Sequence, residues 1–333
     1  MNLQRAKEII AGFSSQNILV IGDVVLDRYI YGKVERLNPE APVPILHARE
    51  EKCATGGAGN TAKNAAALGV RATCIGVTGS DDIASRLEQQ AKAEGYNPML
   101  TCDGSRPTIQ KIRYIVGTQQ MLRVDYEEIK DVTGDIEEQI IGAIQKAAED
   151  ATGIIVSDYA KGVITERVSQ AIMSVAKSRG IPVMADVKPS RINYFTGATY
   201  VSPNRKEAHE FLGLNPFENG GKGPEELSKM LLETFNTTVF LTLSEQGMYV
   251  LGKEGNGQQA PQVYVKSDEV LDPSGCGDTA ALTILLAKLA GAEDVEAADL
   301  ANAAAAVVAH KIGSVGLSQD ELIDIMVHHE EHE

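Results

Sequence analysis

The chain is poor in the residues that build a disulfide frame or a zinc site. Its four cysteines, Cys53, Cys74, Cys102 and Cys276, lie far apart, with no C-x-x-C spacing and no paired histidine ligands. They read as reduced thiols of a cytosolic protein. No apolar run approaches the length of a membrane span, and residues 1–12 suit a short amphipathic helix of mixed charge, not a signal peptide. Positive charge is scarce as well. The 31 Lys and Arg residues face 46 Asp and Glu, a formal net charge of −15 over 333 residues. That balance argues against a general nucleic-acid or anionic-membrane surface, while local basic pockets stay compatible with it. The expectation is a cytoplasmic protein without nucleic-acid or membrane partners.

Two nucleotide signatures are missing too. No G-x-G-x-x-G follows the first strand and no G-x-x-x-x-G-K-S/T occurs anywhere, so neither a dinucleotide fingerprint nor a P-loop is supported. His47, His209 and His310 show no partner pattern for a metal or a relay. There is no internal repeat and no linker long enough to divide two independent domains.

What is present is a regular strand–helix rhythm. Residues 17–22 (N-I-L-V-I-G) form a short apolar run that suits a strand buried on both faces of a parallel sheet. Further strands are expected at 72–77, 153–157, 182–186, 199–201, 238–242 and 248–252, with helices between them at 82–94, 134–149, 165–178 and 224–233. Two Ala-rich helices, about 277–290 and 294–310, close the pattern, and the polar tail from 327 is expected to fray. Such alternation implies a mostly parallel sheet with helices on both faces, a three-layer α/β/α domain. Two stretches interrupt it. Residues 29–48 carry three prolines, and 108–124 alternate apolar with polar residues, so both read as one small antiparallel sheet outside the main layer. That sheet would be a lid or a dimer surface, with plain edge hairpins as the alternative.

The stretch L-D-P-S-G-C-G-D-T-A-A at 271–281 organises the chemistry. Gly275, Cys276 and Gly277 let backbone N–H groups converge at a helix N-terminus, which attracts anions. A carboxylate does not naturally sit beside an anion, so Asp278 makes sense if it contacts a hydroxyl that attacks a phosphoryl group. These residues alone are equally compatible with an ordinary helix start, Asp278 complementing the dipole. Elsewhere, Gly56 and Gly57 precede Asn60 at the head of another helix, where small residues allow close approach to a ligand. Asp23, Asp27, Asp158, Lys188, Asn204 and Glu207, and Thr242, Ser244 and Gly247 fall at or beyond expected strand ends, where open parallel sheets bind ligands. Asn204 and Glu207, three apart at a helix start, suit either Mg²⁺-bound water and phosphate oxygens or a capping box. Lys111, Arg113 and Arg123 alternate with apolar residues in the lid, as phosphate readers or as solvated charges.

G-G-A-G-N near 56, N-x-x-E at 204–207 and D-x-x-G-x-G-D at 272–278 together resemble the ribokinase (PfkB) family of sugar kinases, in order and spacing over nearly the whole chain. G-D-V-V-L-D-R-Y at 22–29, P-E-A-P-V-P at 39–44, K-I-R-Y-I-V-G-T-Q-Q-M-L-R-V-D at 111–125 and S-D-Y-A-K-G at 157–162 look like one subfamily, the D-glycero-β-D-manno-heptose 7-phosphate kinases.

The resemblance implies a ribokinase-like fold over 1–333 with lid segments at about 28–50 and 106–125. It implies Asp278 as the base for the anomeric hydroxyl and the amides of Gly275, Cys276 and Gly277 as an anion hole. Lys188, Asn204, Arg205, Lys206, Glu207, Thr242, Ser244, Gly247 and Asn302 would serve ATP and Mg²⁺, with Glu207 at the metal. Asp23, Asp27, Gly56, Gly57, Asn60 and Asp158 would bind the sugar, and Lys111, Arg113 and Arg123 its phosphate. Family analogy adds a K⁺ site shaped by the anion-hole loop and residues 311–316, and a homodimer paired through the lid. Cys276 departs from the family's usual Ala, which raises thiol sensitivity while leaving the amide in place. Many such kinases are fused to a nucleotidyltransferase with an H-x-G-H motif. That motif is absent, so a stand-alone kinase, or a kinase portion expressed separately, is expected. Rival expectations are a ribokinase, a fructokinase, a 1-phosphofructokinase-type enzyme, or a sugar- or nucleotide-binding regulator without catalysis.

Overall fold

The computed structural model describes residues 1–216, 221–266, 270–311, 313 and 315–330. In chain order its strands are β1 (Asn17–Gly22), β2 (Val24–Leu37), β3 (Pro44–Gly57), β4 (Arg71–Thr78), β5 (Asn97–Cys102), β6 (Gln110–Val116) and β7 (Gln119–Tyr126). They continue as β8 (Gly153–Ser157), β9 (Val183–Asp186), β10 (Tyr200–Val201), β11 (Thr238–Thr242), β12 (Met248–Leu251) and β13 (Gly257–Ala260). The helices are α1 (Leu3–Ala11), α2 (Ala58–Ala67), α3 (Asp82–Ala93), α4 (Gly134–Ala147) and α5 (Glu166–Arg179). After them come α6 (Arg205–Phe211), α7 (Pro224–Phe235), α8 (Cys276–Leu289), α9 (Asp294–Ala309) and α10 (Gln319–Glu330).

Nine strands form the main sheet in the order β13-β12-β11-β10-β9-β8-β1-β4-β5. Pairing is parallel from β5 to β11 and antiparallel at β12 and β13. The apolar run of β1 explains its central place. Ile18 and Val20 enter one core with α1, α2, α8, α9 and α10, whereas Leu19 and Ile21 enter the other with α4, α5 and α7. Alternate residues of one strand thus feed two cores, and the sheet is the middle of three layers. Helices α8 and α9 are buried nearly all round, which their alanines permit.

A second sheet has the order β3-β2-β6-β7. Its two hairpins are antiparallel within themselves, and the seam between β2 and β6 is parallel. Gly57, expected in a loop, is instead a direct strand-to-helix junction at φ +60, where a Cβ would meet the Asp23 carbonyl oxygen at 2.2 Å. Three elements, β5, β13 and α10, lay outside the sequence expectation. β5 and β13 are edge strands, the first containing Pro98 and the second polar, so neither carries the buried apolar pattern. The tail expected to fray from 327 continues α10 to Glu330; residues 331–333 lie outside the described ones.

β1 and β8 meet at the point where the strand order reverses, which opens a crevice beyond their carboxyl ends. Gly22 pairs with Ser157 there, and a Cβ on Gly22 would lie 1.8 Å from the Ser157 carbonyl oxygen. Gly22→Ala should therefore part the two strands and lower stability by about 1–3 kcal/mol, read as a fall in the urea midpoint.

Candidate active site

The turn before α8 is built by Asp272. Its Oδ1 accepts from the Ser274 amide at 2.9 Å and its Oδ2 from the Gly313 amide at 3.0 Å. Gly275 follows at φ +82, facing Asn60 so closely that a Cβ would lie 2.9 Å from its amide nitrogen. Among the described residues nothing accepts from the N–H groups of Gly275 and Gly277, whereas that of Cys276 makes a 3.3 Å bond to the Pro273 carbonyl. These amides open the N-terminus of α8 to an anion. The Cys276 thiol turns back onto the Ala305 carbonyl, and burial pushes it up to about 11. It is a poor thiolate, which lowers the thiol sensitivity expected from sequence.

Asp278, in the first turn of α8, does not cap its helix. Its Oδ2 accepts from Asn60 Nδ2 at 2.8 Å and its Oδ1 from the Tyr159 hydroxyl at 2.7 Å. The side chain is buried. Burial raises its pKa, and the bonds from Asn60 and Tyr159, with the charges of Lys188 and Lys63, work against that rise.

A cavity of about 770 Å³ runs from Asp278 across the carboxyl ends of β8 to β11. Asp158, Lys188, Asn204 and Glu207 line one side, with Thr242, Ser244, Gly247 and Asn302 farther along. Asn204 and Glu207 form a complete capping box at the start of α6, and they border the cavity as well. Lys188 Nζ lies 2.8 Å from Glu207 Oε1. Burial opposes the Lys188 ammonium, but Glu207, Asp186 and Asp158 hold its pKa above the usual value. Asn302 braces the far wall, donating to the carbonyls of Ala260 and Pro261 at 3.1 and 3.2 Å. Arg205 and Lys206 are not on this wall. Arg205 donates to the Lys222 carbonyl and Lys206 pairs with Glu210, both on the outer face of α6.

Toward the lid, Asp27 pairs with Arg113, whose guanidinium also lies 5.2 Å from the Tyr29 ring centroid. Gly56 packs on the Asp27 carboxylate, with room for no Cβ. Asp23 takes a different place from the sugar-facing one expected of it. It is fully buried, and its carboxylate accepts from the amides of Tyr159, Lys161 and Val163, so it anchors the loop after β8. Asp158 accepts from the amides of Ala160 and Lys188, and burial with the nearby Asp23 pushes it up to about 6. Lys111 reaches over the Tyr159 ring, 5.9 Å from its centroid. Arg123 forms a two-pronged pair with Asp125 on the exposed face of β7 and does not border the cavity. Of the segment 311–316 considered for a monovalent cation, residues 312 and 314 lie outside the described ones.

Three residues of this site were not assigned from sequence. Tyr159 stood within the S-D-Y-A-K-G hexapeptide, of which only Asp158 was singled out. Asp186 ends β9 and borders the cavity. Lys63 is buried in α2 and has its pKa lowered by burial, against the charges of Glu94, Asp27 and Asp278. A lysine amid the alanines of α2 was the only signal for it.

A buried carboxylate beside open helix N-terminal amides, at one end of a cavity along a parallel sheet, defines a phosphotransferase that activates a hydroxyl. A family model described as "pfkB family carbohydrate kinase" matches residues 15–321. The chain belongs to that family and is a sugar kinase. It is 38% identical to the bifunctional protein HldE of Caulobacter vibrioides over 93% of its own length and 63% of that protein's. With the HldE of Azorhizobium caulinodans the identity is 40%, over 92% of this chain and 63% of the relative. The chain thus spans about 63% of the length of these relatives. Among solved structures, phosphofructokinase-2 from Escherichia coli in complex with potassium superposes with a TM-score of 0.75 at 18% identity, covering 95% of this chain and 99% of that one. Arabidopsis thaliana ribokinase complexed with ribose and ATP gives 0.71 at 17% identity, covering 93% and 98%. Both share this chain's overall fold. No described helix is long and apolar enough to cross a membrane.

The acids around the cavity make stability depend on pH. Asp186 is pushed up to about 8, by burial first and then by Asp278 and Glu207. A carboxyl raised in the folded state favours folding while protonated, and that contribution is lost as pH rises from the unfolded value near 4 through the folded one. Asp186→Asn should therefore raise the melting temperature increasingly between pH 4 and about 8, with a level difference above that range.

Proposed function

We propose that the chain transfers the γ-phosphoryl group of ATP to the anomeric hydroxyl of D-glycero-β-D-manno-heptose 7-phosphate. The product is the 1,7-bisphosphate, on the way to ADP-heptose and the lipopolysaccharide core. The observation that carries the kinase reading is Asp278, held by Asn60 and Tyr159 beside the open amides of Gly275 and Gly277. Asp278 takes the proton of the attacking hydroxyl. Because a carboxylate is a weak base, positioning and charge stabilisation supply most of the acceleration. The amides at the start of α8 stabilise charge on the phosphoryl group in flight. The choice of heptose phosphate over other sugars is supported by 38–40% identity to HldE proteins and by the lid motifs.

The cavity volume of about 770 Å³ suits a nucleotide, with Thr242, Ser244, Gly247 and Asn302 along its adenosine end. Among the described residues no cluster of three or more acidic, His or Cys side chains forms a dedicated metal cage. Magnesium needs none, since it keeps most of its waters and binds through phosphates and one or two carboxylates. Glu207 would hold it beside the nucleotide, where it would neutralise phosphate charge. The 7-phosphate is assigned to Lys111, which reaches over the Tyr159 ring, and Arg113, which pairs with Asp27. Exposed Leu37 and Val43 on the first hairpin, with Met121 and Leu122 on the second, support a homodimer through the lid. Leu122→Glu should then shift the protein from dimer to monomer in light scattering.

The functional test is an ADP-release assay with Mg·ATP. It compares heptose 7-phosphate with ribose, fructose, and fructose 1- and 6-phosphates. Turnover should be confined largely to the heptose phosphate, and Asp278→Asn should lower kcat by about 10²–10⁴-fold while ATP still binds. Activity on another sugar would overturn the substrate, and equal rates for the two proteins the role of Asp278. Transfer to none of them would favour a regulator.

A further inference from the structure

The pairing of Tyr159 with Asp278 goes beyond what a kinase base requires. Each oxygen of the Asp278 carboxylate receives one neutral donor, the Tyr159 hydroxyl at 2.7 Å on Oδ1 and the Asn60 amide at 2.8 Å on Oδ2. Tyr159 is itself held from several directions. Its backbone N–H donates to Asp23 at 2.9 Å. Its ring centroid lies 5.9 Å from Lys111 Nζ of the lid strand β6 and 5.8 Å from Lys188 Nζ of the segment after β9. Both distances are within cation–π reach, so the ring is in contact with the lid and with the nucleotide side at once.

We propose that Tyr159 is a positioning residue for phosphoryl transfer, its hydroxyl fixing Asp278 Oδ1 and keeping that carboxylate ionised and aimed at the acceptor hydroxyl. The proposal rests on Asp278 being the base, as argued under Proposed function. A carboxylate oxygen has capacity for two donors, so the bond from Tyr159 leaves a site for the substrate hydroxyl. A hydrogen bond to the charged form of an acid favours that form, which is what a buried base needs. The charged and titratable groups around the pair include Lys63 from α2, Lys111 from β6, Asp186 at the end of β9 and Lys188 just after it, Asp27 from β2 and the Cys276 thiol. Lys63 and Lys188 support the ionised carboxylate, and the acids oppose it. Burial and the nearby Asp278 hold the Tyr159 phenol well above its ordinary value, so it remains a proton donor across neutral pH.

Tyr159→Phe removes the hydroxyl and retains the ring with both cation contacts. Loss of a bond to the ionised form raises the Asp278 pKa, so the base is available only at higher pH. With Mg·ATP and heptose 7-phosphate, kcat should fall about tenfold. The acid limb of the kcat/KM profile should move up by about one pH unit, with KM for ATP unchanged. Tyr159→Ala should show the same direction of shift with a larger loss of rate. Thermal melts of both variants confirm that a folded protein is being compared. A wild-type kcat and an unmoved acid limb in Tyr159→Phe would overturn the proposal. So would a lower kcat with an unmoved limb, because a hydroxyl needed only for packing gives that result. Asp278→Asn measured alongside separates the two readings. Full activity there removes the base and the proposal together, whereas an inactive Asp278→Asn beside an unaffected Tyr159→Phe removes the proposal alone.

Discussion

Removing one carboxylate from water is the constraint on which the site depends. An uncompensated buried carboxylate costs several kcal/mol, or takes up a proton and is no longer a base. Donors from distant parts of the chain work against both outcomes at Asp278, Asn60 at 218 positions away and Tyr159 at 119. Helix α2, the loop after β8 and helix α8 must therefore all be packed before the carboxylate has its environment. The cores on both faces of the sheet serve that end. α2 and α8 share one of them, and β8 passes between the two.

The same economy governs the acids around the cavity. Asp23, Asp158 and Asp272 point their oxygens at backbone amides, which fixes the loops that carry Tyr159, Lys188 and the turn before α8. Glu207 and Asn204 close a helix cap while bordering the cavity. A chain with so many acids thus uses several of them as internal scaffolding. Positive charge near the site comes from a few placed side chains, Lys63, Lys111, Arg113 and Lys188.

How far the sequence could be read follows from the range of each interaction. The D-P-S-G-C-G-D stretch was legible as a site candidate because the turn, the open amides and Asp278 lie within seven consecutive residues, 272–278. The three-layer architecture was legible because burial on both faces writes a continuous apolar run into β1 and its parallel neighbours. Asn204 and Glu207 presented two readings from sequence; the fold shows the capping box and sets the pair at the cavity wall. Tyr159 and Lys63 were hidden, since the contacts that define them cross the chain and leave no local pattern. Arg205, Lys206 and Arg123 illustrate the converse: adjacency to a motif placed them near the site in sequence, yet their side chains meet Lys222, Glu210 and Asp125. Asp23 was rightly located at a strand end, but its partners are amides of a loop that only the folded β1–β8 pairing brings into reach.

Asp23 is also the single residue between β1, which ends at Gly22, and β2, which begins at Val24. Its amide donates to Ser157, its carbonyl accepts from Ala58, and its side chain holds the loop bearing Tyr159. The first lid hairpin thereby leaves the main sheet at the residue that also grips the loop bearing Tyr159. One residue therefore sets both the root of that hairpin and the loop whose Tyr159 hydroxyl reaches Asp278.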